Sequence, residues 1–181
     1  EPIPPRADLG HASNQLFMLS GKEPPAEHAR ALDVSLILYT EHEFNASTFA
    51  CRVTASTLSD IYSAATSGVG TLKGPLHGGA NEEAIKLLLE VGGPANAEPW
   101  VHKMFAEKKL IMGFGHRVYK TIDPRAVIIS RYCKSIAQSR GDMTLEQTAD
   151  IIENMVKTEK GLPANVDWPV ARLYYYLGLE I

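Results

Sequence analysis

Apolar residues recur along most of this chain at intervals of three and four, the spacing that places them on one face of an α-helix. We predict a first helix over 8–20, stopped by Gly21, and a second helix that begins after Pro25. The apolar face of the second helix comprises Ala29, Leu32, Leu36 and Ile37. A polar break over 41–45 is predicted to end it.

The middle of the chain continues the helical pattern. Either Asn45 or Ser47 is placed to cap a third helix. The apolar positions of this helix are Phe49, Val53, Leu58, Ile61 and Ala65. A glycine-rich loop is predicted over 68–79, then a short helix over 81–91 that ends at two glycines, and another helix that starts at 98.

The last third of the chain contains strong helix-start signals. The Asp-Pro pair at 123–124 predicts a helix that runs to Arg140. Thr144 and Gln147 have the spacing of a capping box, which predicts a further helix ending before Gly161. A β-branched run inside the first of these helices is a weak strand signal, since it follows the helical period. The sequence therefore predicts an all-α fold.

The composition is that of an ordinary globular protein. Of 181 residues, 45% are hydrophobic and 22% are charged, and the net charge is −3. Without a basic stripe or a long apolar run, we expect neither a nucleic-acid partner nor a membrane partner. Cys51 and Cys133 stand far apart, outside any metal-binding spacing, which indicates free thiols in a reducing compartment. Because no signal peptide opens this sequence, we expect a cytoplasmic protein.

His77 lies in the segment KGPLHGGAN, just before a predicted helix. The positive end of that helix favours a neutral imidazole. A neutral imidazole can donate a hydrogen bond to an oxyanion as it forms. A histidine that only caps the helix is the alternative.

His116 and Arg125 follow in a second glycine-containing segment. The glycines before His116 allow backbone and ring to approach a ligand closely, although they also suit a simple turn with a surface histidine. The segment is not a dinucleotide fingerprint, because the third glycine and the preceding strand are missing. Arg125 lies in the first turn of a helix, where a cation gains nothing from the dipole, so it suits a carboxylate clamp. An ordinary solvated arginine is the alternative.

Asp167, in the segment NVDWP, is placed as an N-cap of the final helix. The functional interpretation is a general base that the same helix end keeps ionised. His42 stands between Glu41 and Glu43, but the spacing differs from HExxH and no second ligand follows one turn later. We therefore expect no metal site.

These segments occur in one order along the chain. HE-NAST begins at 42, GPLHG-AN at 74, G-GH ends at 116 with DPR ending nine positions later, and P-NVD ends at 167. Together they resemble the signature of the citrate synthase family, of the bacterial or archaeal type, over essentially the whole chain. The resemblance implies an enzyme that condenses acetyl-CoA with oxaloacetate and then hydrolyses the thioester to citrate and CoA, with no cofactor beyond the CoA substrate.

The resemblance also assigns roles. His77 resembles the histidine that stabilises the enol of the thioester, Asp167 the base that removes the α-proton, and His116 the histidine that polarises the ketone of oxaloacetate. The residues similar to those that bind oxaloacetate are His42, Asn45 and Arg125. Those similar to CoA-binding residues are Ile111, Met112, Gly113, Phe114, Gly115 and Lys160.

The family fold has a large and a small helical domain with a cleft between them. By resemblance, residues 1–77 are the end of the first large-domain segment, 78–172 the small domain, and 173–181 the start of the return to the large domain. Because such a chain is a fragment of the family fold, we expect the isolated 181 residues to be inactive. Family members are usually homodimers, and the small-residue helix predicted from Ala46 suits such an interface.

Two other functions stay open. A 2-methylcitrate synthase would use propionyl-CoA, and one methylene changes binding by only about 1–3 kcal/mol. A non-catalytic relative would only bind CoA or a dicarboxylate, but the presence of all three candidate catalytic groups argues against it.

Overall fold

The computed structural model describes residues 3–40 and 42–180, and over these ranges the chain forms nine helices and no β-strand. The all-α prediction is therefore confirmed. The helices are α1 (His11–Ser20), α2 (Ala26–Tyr39), α3 (Ala46–Ser56), α4 (Ile61–Leu72), α5 (Ala80–Val91), α6 (Pro94–Ala106), α7 (Pro124–Arg140), α8 (Thr144–Lys160) and α9 (Asp167–Tyr176).

Several helix ends follow from local chemistry as predicted. Gly21 adopts a left-handed conformation with φ of 72° and ends α1, its amide donating to the carbonyl of Phe17. Asn45 caps α3, because its side-chain oxygen accepts a 2.9 Å hydrogen bond from the amide of Thr48. The first helix begins at His11, three residues later than predicted.

The predicted third helix is in fact two helices. The chain turns between α3 and α4, where Leu58 has a φ of 62° and Asp60 caps α4 through the amide of Ser63. The apolar period did not show this break, because Leu58 continues the period while its backbone turns. Gly68, predicted as loop, lies in α4, where a Cβ atom would overlap Sγ of Cys51. The glycine therefore allows the close approach of α3 and α4.

One other predicted start and two predicted caps were wrong. Helix α6 begins at Pro94, because proline needs no amide partner in the first turn. The capping box at Thr144 does not form, because the side chain of Asp142 accepts the Thr144 amide at 2.9 Å and Met143 is the N-cap. Asp167 is the first residue of α9 rather than its cap.

Helix α9 lies at the centre of the packing. One buried cluster joins α5, α6 and α8 to Trp168 and Ala171 of α9. A second cluster joins α2 and α7 to Val170 and Leu173 of the same helix. A smaller third cluster lies between α1 and α2. Because α9 is held on two sides, the position of Asp167 at its first residue is fixed by the whole core.

Helices α3 and α4 differ from the rest. They pack against each other and make only sparse contacts with the other described helices. These helices and the turn between them expose large apolar side chains, including Leu58 of the turn at 95% and Tyr62 of α4 at 81%. Over the described residues, no helix is long and apolar enough to cross a membrane. The division into 1–77, 78–172 and 173–181 stays a prediction.

Candidate active site

Two loops pair side by side and bring the chemistry-bearing residues together. The amide of Gly115 donates to the carbonyl of Pro163 at 2.8 Å, and the amide of Asn165 donates to the carbonyl of Gly113 at 2.9 Å. The side-chain amide of Asn165 also donates to the carbonyl of Gly115 at 2.9 Å. This pairing links the segment before His116 to the segment before α9.

Gly113 has a conformation and a position that exclude larger residues. Its φ is 93°, and a Cβ atom there would lie 3.0 Å from atoms of the Trp168 side chain. Phe114 contacts the same tryptophan, with ring centroids 4.7 Å apart. The predicted CoA loop is thus fixed against the first residues of α9. The CoA-binding role of this loop stays a prediction.

Two backbone amides determine which ring nitrogen of His116 carries the hydrogen. Its Nδ1 accepts hydrogen bonds from the backbone amides of Val118 at 3.0 Å and Tyr119 at 3.2 Å. The neutral ring therefore carries its hydrogen on Nε2. Burial, followed by the charge of Arg125, lowers the pKa of His116 and favours this neutral form.

His42 lies directly against His116. The two Nε2 atoms are 3.3 Å apart, and the ring centroids are 5.2 Å apart. Since His116 carries its hydrogen on Nε2, it is the donor in this contact and Nε2 of His42 is the acceptor. The ring of Tyr119 lies against both imidazoles. The structure thus brings His42 and His116 together, and their roles toward oxaloacetate stay predictions.

His77 is held from α3. Its Nε2 accepts a hydrogen bond from the backbone amide of Ser47 at 3.2 Å and lies 2.9 Å from the Ser47 hydroxyl. That hydroxyl also contacts the side-chain oxygen of Asn45 at 2.8 Å. The amide contact suits a ring that accepts at Nε2 and carries its hydrogen on Nδ1, which is the form used in the proposal below. Asn45 uses its oxygen to cap α3, and its predicted contact with substrate stays a prediction.

Asp167 is the carboxylate of the group. The phenol of Tyr39 donates to its Oδ1 at 3.1 Å. Burial raises the pKa of Asp167, while the hydrogen bond from Tyr39 and the charge of Arg125 act against that rise. Asp167 also lies within electrostatic reach of His77. The group is therefore a carboxylate that is more basic than a solvated aspartate.

Arg125 forms a bidentate ion pair, but with a residue of its own chain. Its Nε donates to Oδ1 of Asp123 at 3.0 Å and its Nη2 to Oδ2 at 2.8 Å, and the two side chains are 11% and 1% exposed. Oδ2 of Asp123 also accepts the amide of Val166 at 3.1 Å. The predicted carboxylate clamp is thus already occupied on one edge, and Asp123 ties Arg125 to the start of α9.

Lys160 has no recorded contact with these groups; its recorded contact is with Phe105. Its ammonium stands 4.3 Å from the centroid of the Phe105 ring, at the exposed end of α8. Its predicted contact with a CoA phosphate stays a prediction. Over 3–40 and 42–180, no cluster of three or more metal-ligating side chains occurs, while Glu41 lies outside the described residues.

Sequence reasoning missed three contributors. Ser47 was considered only as a cap, Asp123 only as a helix start, and Tyr39 was not considered at all. The Asp-Pro-Arg segment did offer a signal for Asp123, because a carboxylate two residues before an arginine can pair with it. Nothing in the sequence near Tyr39 indicated a partner 128 residues away.

The fold and these groups define an all-helical protein whose site combines histidines with a half-buried carboxylate. A family model described as the C-terminal domain of citrate synthase matches residues 1–181. The chain belongs to the citrate synthase family.

Relatives and solved structures agree with this assignment. The chain is 47% identical over 180 residues to citrate synthase 2 of Bacillus subtilis, covering 99% of this chain and 48% of that protein. It is 43% identical to the 2-methylcitrate synthase of Mycobacterium tuberculosis, covering 99% of this chain and 46% of that protein. The citrate synthase of Thermoplasma acidophilum, solved with carboxymethyl coenzyme A and oxaloacetate, superposes with a TM-score of 0.90 at 38% identity, covering 97% of this chain and 48% of that one. The chain spans about half the length of the relatives that it matches.

Proposed function

We propose that the whole protein condenses acetyl-CoA with oxaloacetate and water to give citrate and CoA. The main supporting observation is the pair of neutral imidazoles, His77 and His116, each with its acceptor nitrogen bound to a backbone amide. Each ring can therefore offer one N–H to a substrate oxygen, that of His116 in place of its contact with His42. The family membership and the half-buried carboxylate of Asp167, whose pKa is raised, add to this support.

The first step is removal of a proton from the acyl group. The α-carbon beside a thioester is a very weak acid, so the enolate must be stabilised as it forms. In the proposed reaction, Asp167 takes the α-proton, and the Nδ1–H of His77 donates to the thioester oxygen as negative charge develops there. Burial makes Asp167 a stronger base than a solvated aspartate.

The second step is formation of the new carbon–carbon bond. The enolate carbon attacks the ketone carbon of oxaloacetate, and the ketone oxygen gains the negative charge. The Nε2–H of His116 faces Nε2 of His42 at 3.3 Å, so a ketone oxygen that takes the place of this contact would receive the same hydrogen bond. The alkoxide then regains, by way of water, the proton that Asp167 had taken. Water attacks the thioester carbon of the product, the carbon–sulfur bond breaks, the sulfur takes a proton of that water, and CoA leaves as the thiol.

Arg125 is proposed to bind a carboxylate of oxaloacetate. Its Nε and Nη2 already face Asp123, which fixes the plane of the guanidinium. The remaining Nη1 side is the part that would face the substrate. A preformed, oriented cation loses little entropy on binding, which favours a substrate complex with a defined geometry.

Two acyl donors, acetyl-CoA and propionyl-CoA, have to be distinguished. Propionyl-CoA, giving 2-methylcitrate, is the second candidate, since a relative of that name is 43% identical over nearly the whole chain. Thiol release by the full-length protein from acetyl-CoA and from propionyl-CoA, with and without oxaloacetate, tests both. Oxaloacetate-dependent release supports condensation, and the ratio of kcat/KM values selects the donor. No release from a folded full-length protein with either donor would contradict the proposal.

We also propose that the full-length protein is a homodimer that uses the outer face of α3 and α4. This face exposes Phe49, Leu58, Ile61, Tyr62 and Val69, and exposed apolar groups of this size mark interaction surfaces. A two-fold contact would bury the same face on both copies. Light scattering of the Tyr62→Glu variant at micromolar concentration should show monomers, whereas a dimer that tolerates this charge would argue against the face. Lys86→Glu, on the outside of α5, is the matched control.

The cytoplasm is the proposed location. Cys51 and Cys133 are both free thiols in the structure, which fits a reducing compartment. Cell fractionation with an antibody to the full-length protein tests this, and a secreted fraction would contradict it.

A further inference from the structure

Tyr39 is the last residue of α2, and its phenol reaches across the site to the candidate base. Its oxygen lies 3.1 Å from Oδ1 of Asp167, which is 128 residues later in the chain. Helix α2 is packed against α7 in the second buried cluster, which also contains residues of α9. The contact therefore joins the last residue of α2 to the first residue of α9. Because both helices are packed in the core, the contact has a defined geometry.

The contact restricts one oxygen of the carboxylate. Asp167 is the first residue of α9, which has no side-chain cap, so its carboxylate could otherwise turn toward the free amides of the first helical turn. The backbone amide of Asp167 is held by the side-chain oxygen of Asn165 at 3.0 Å. With the backbone held by Asn165 and Oδ1 held by Tyr39, Oδ2 is the oxygen left for a substrate proton.

Tyr39 is suited to act as a permanent donor. Although 40% of the residue is exposed, burial in the site and then the charge of Asp167 raise the pKa of Tyr39 well above that of a free phenol. The phenol therefore keeps its proton wherever Asp167 is ionised. The same hydrogen bond lowers the pKa of Asp167, against the larger effect of burial.

We propose that Tyr39 is a positioning residue for the condensation: by donating to Oδ1 of Asp167, it orients the carboxylate and selects Oδ2 as the atom that removes the α-proton. This inference rests on the function proposed above. Tyr39 acts through Asp167, so it should affect the rate of proton removal more than the binding of oxaloacetate.

The test is the Tyr39→Phe variant of the full-length protein, which removes only the hydroxyl group. Because Asp167 would no longer be held in the orientation for proton removal, kcat should fall by about tenfold to a hundredfold. The KM for oxaloacetate should stay within about twofold, because Tyr39 does not contact that substrate in the proposal. The acid limb of the pH profile of kcat/KM should move up by about one pH unit, since a carboxylate without its donor is protonated more readily.

Tyr174→Phe is the matched control. Tyr174 is another partly buried tyrosine whose pKa is raised by burial and by the charge of Asp167, but its hydroxyl is hydrogen-bonded to Ser35. Its loss should leave kcat and the acid limb unchanged. Equal effects of the two substitutions would indicate a general structural role and overturn the proposal.

A second measurement does not depend on activity. Carbon-13 NMR of the full-length protein with labelled aspartate carboxyl groups, assigned by the loss of a signal in Asp167→Asn, gives the titration of Asp167 directly. Tyr39→Phe should move this titration to higher pH, and an unmoved titration would overturn the proposed contact. If the unmodified protein shows no oxaloacetate-dependent thiol release while the titration does move, the function fails and the Tyr39–Asp167 contact stands by itself.

Discussion

The amide of Asn165 donates a hydrogen bond of 2.9 Å to the carbonyl oxygen of Gly113, and this contact joins two segments that lie far apart in the chain. One segment leads into His116 and the other into Asp167. The side chain of Asn165 strengthens the link, since it donates to the carbonyl of Gly115 and accepts the amide of Asp167. The backbone pairing therefore sets the distance between His116 and Asp167. A change at Asn165 should alter the positions of both groups.

Replacing Asn165 by alanine should lower kcat/KM by about tenfold or more, because two side-chain hydrogen bonds that position His116 and Asp167 are lost. Steady-state thiol release by the full-length variant measures this. Asn96→Ala is the control, since Asn96 makes a comparable 2.9 Å bond to the carbonyl of Val91 away from these residues. Equal losses in the two variants would show a loss of stability rather than of positioning.

Replacing His77 by alanine should lower kcat by roughly 10²–10³-fold, the usual cost of removing one donor to a developing oxyanion. The KM for oxaloacetate should change little, because His77 is proposed to contact the thioester. Thiol-release kinetics check both values. His102→Ala, at an exposed histidine of α6, serves as the control. A fall in kcat of less than about threefold would argue against an oxyanion-stabilising role for His77.

The neutral state of His116 predicts a particular pH dependence. Burial and the charge of Arg125 lower the pKa of His116. A solvated histidine is half protonated at a pH of about 6.5. At that pH the folded protein should still keep the His116 ring neutral. In that window the unfolded chain binds more protons at this site than the folded chain, so the contribution of His116 to stability decreases as pH falls below about 6.5. Proton NMR of the imidazole ring, assigned with His116→Gln, measures the titration. A midpoint above the solvated value would contradict the assignment.

The buried ion pair of Arg172 and Glu146 should be much more sensitive than a surface pair. Nε of Arg172 lies 2.8 Å from Oε1 of Glu146, and both side chains are at most 1% exposed. Tyr176 donates to the same oxygen. Arg172→Met leaves an unpaired buried carboxylate and should lower the free energy of unfolding by about 3–5 kcal/mol.

Urea unfolding followed by circular dichroism measures that loss. Lys134→Met breaks a 2.9 Å pair with Asp150 in which both side chains are about half exposed, so it should cost less than about 1 kcal/mol. Similar midpoints for Arg172→Met and the unmodified protein would show that the pair does not control stability.

The local sequence predicted much of the helical structure. The stop at Gly21, the cap at Asn45 and the start at Pro124 each depend on groups within a few residues of one another, so the chain encodes them directly. The break between α3 and α4 was missed because Leu58 continues the apolar period while its backbone turns. The order of the motifs was also sufficient to indicate the family and the candidate histidines.

The sequence by itself determined the helical class, the family and the types of residue available for acid–base chemistry, because these follow from local periodicity and from motif order. Only the tertiary structure decided which nitrogen of His116 carries the hydrogen, that Asp123 takes one edge of Arg125, and that Tyr39 holds Asp167. Each of these contacts requires two groups within about 3 Å of each other. Core packing brings these distant parts of the chain together. Local sequence patterns do not show which distant residues will meet in the folded protein.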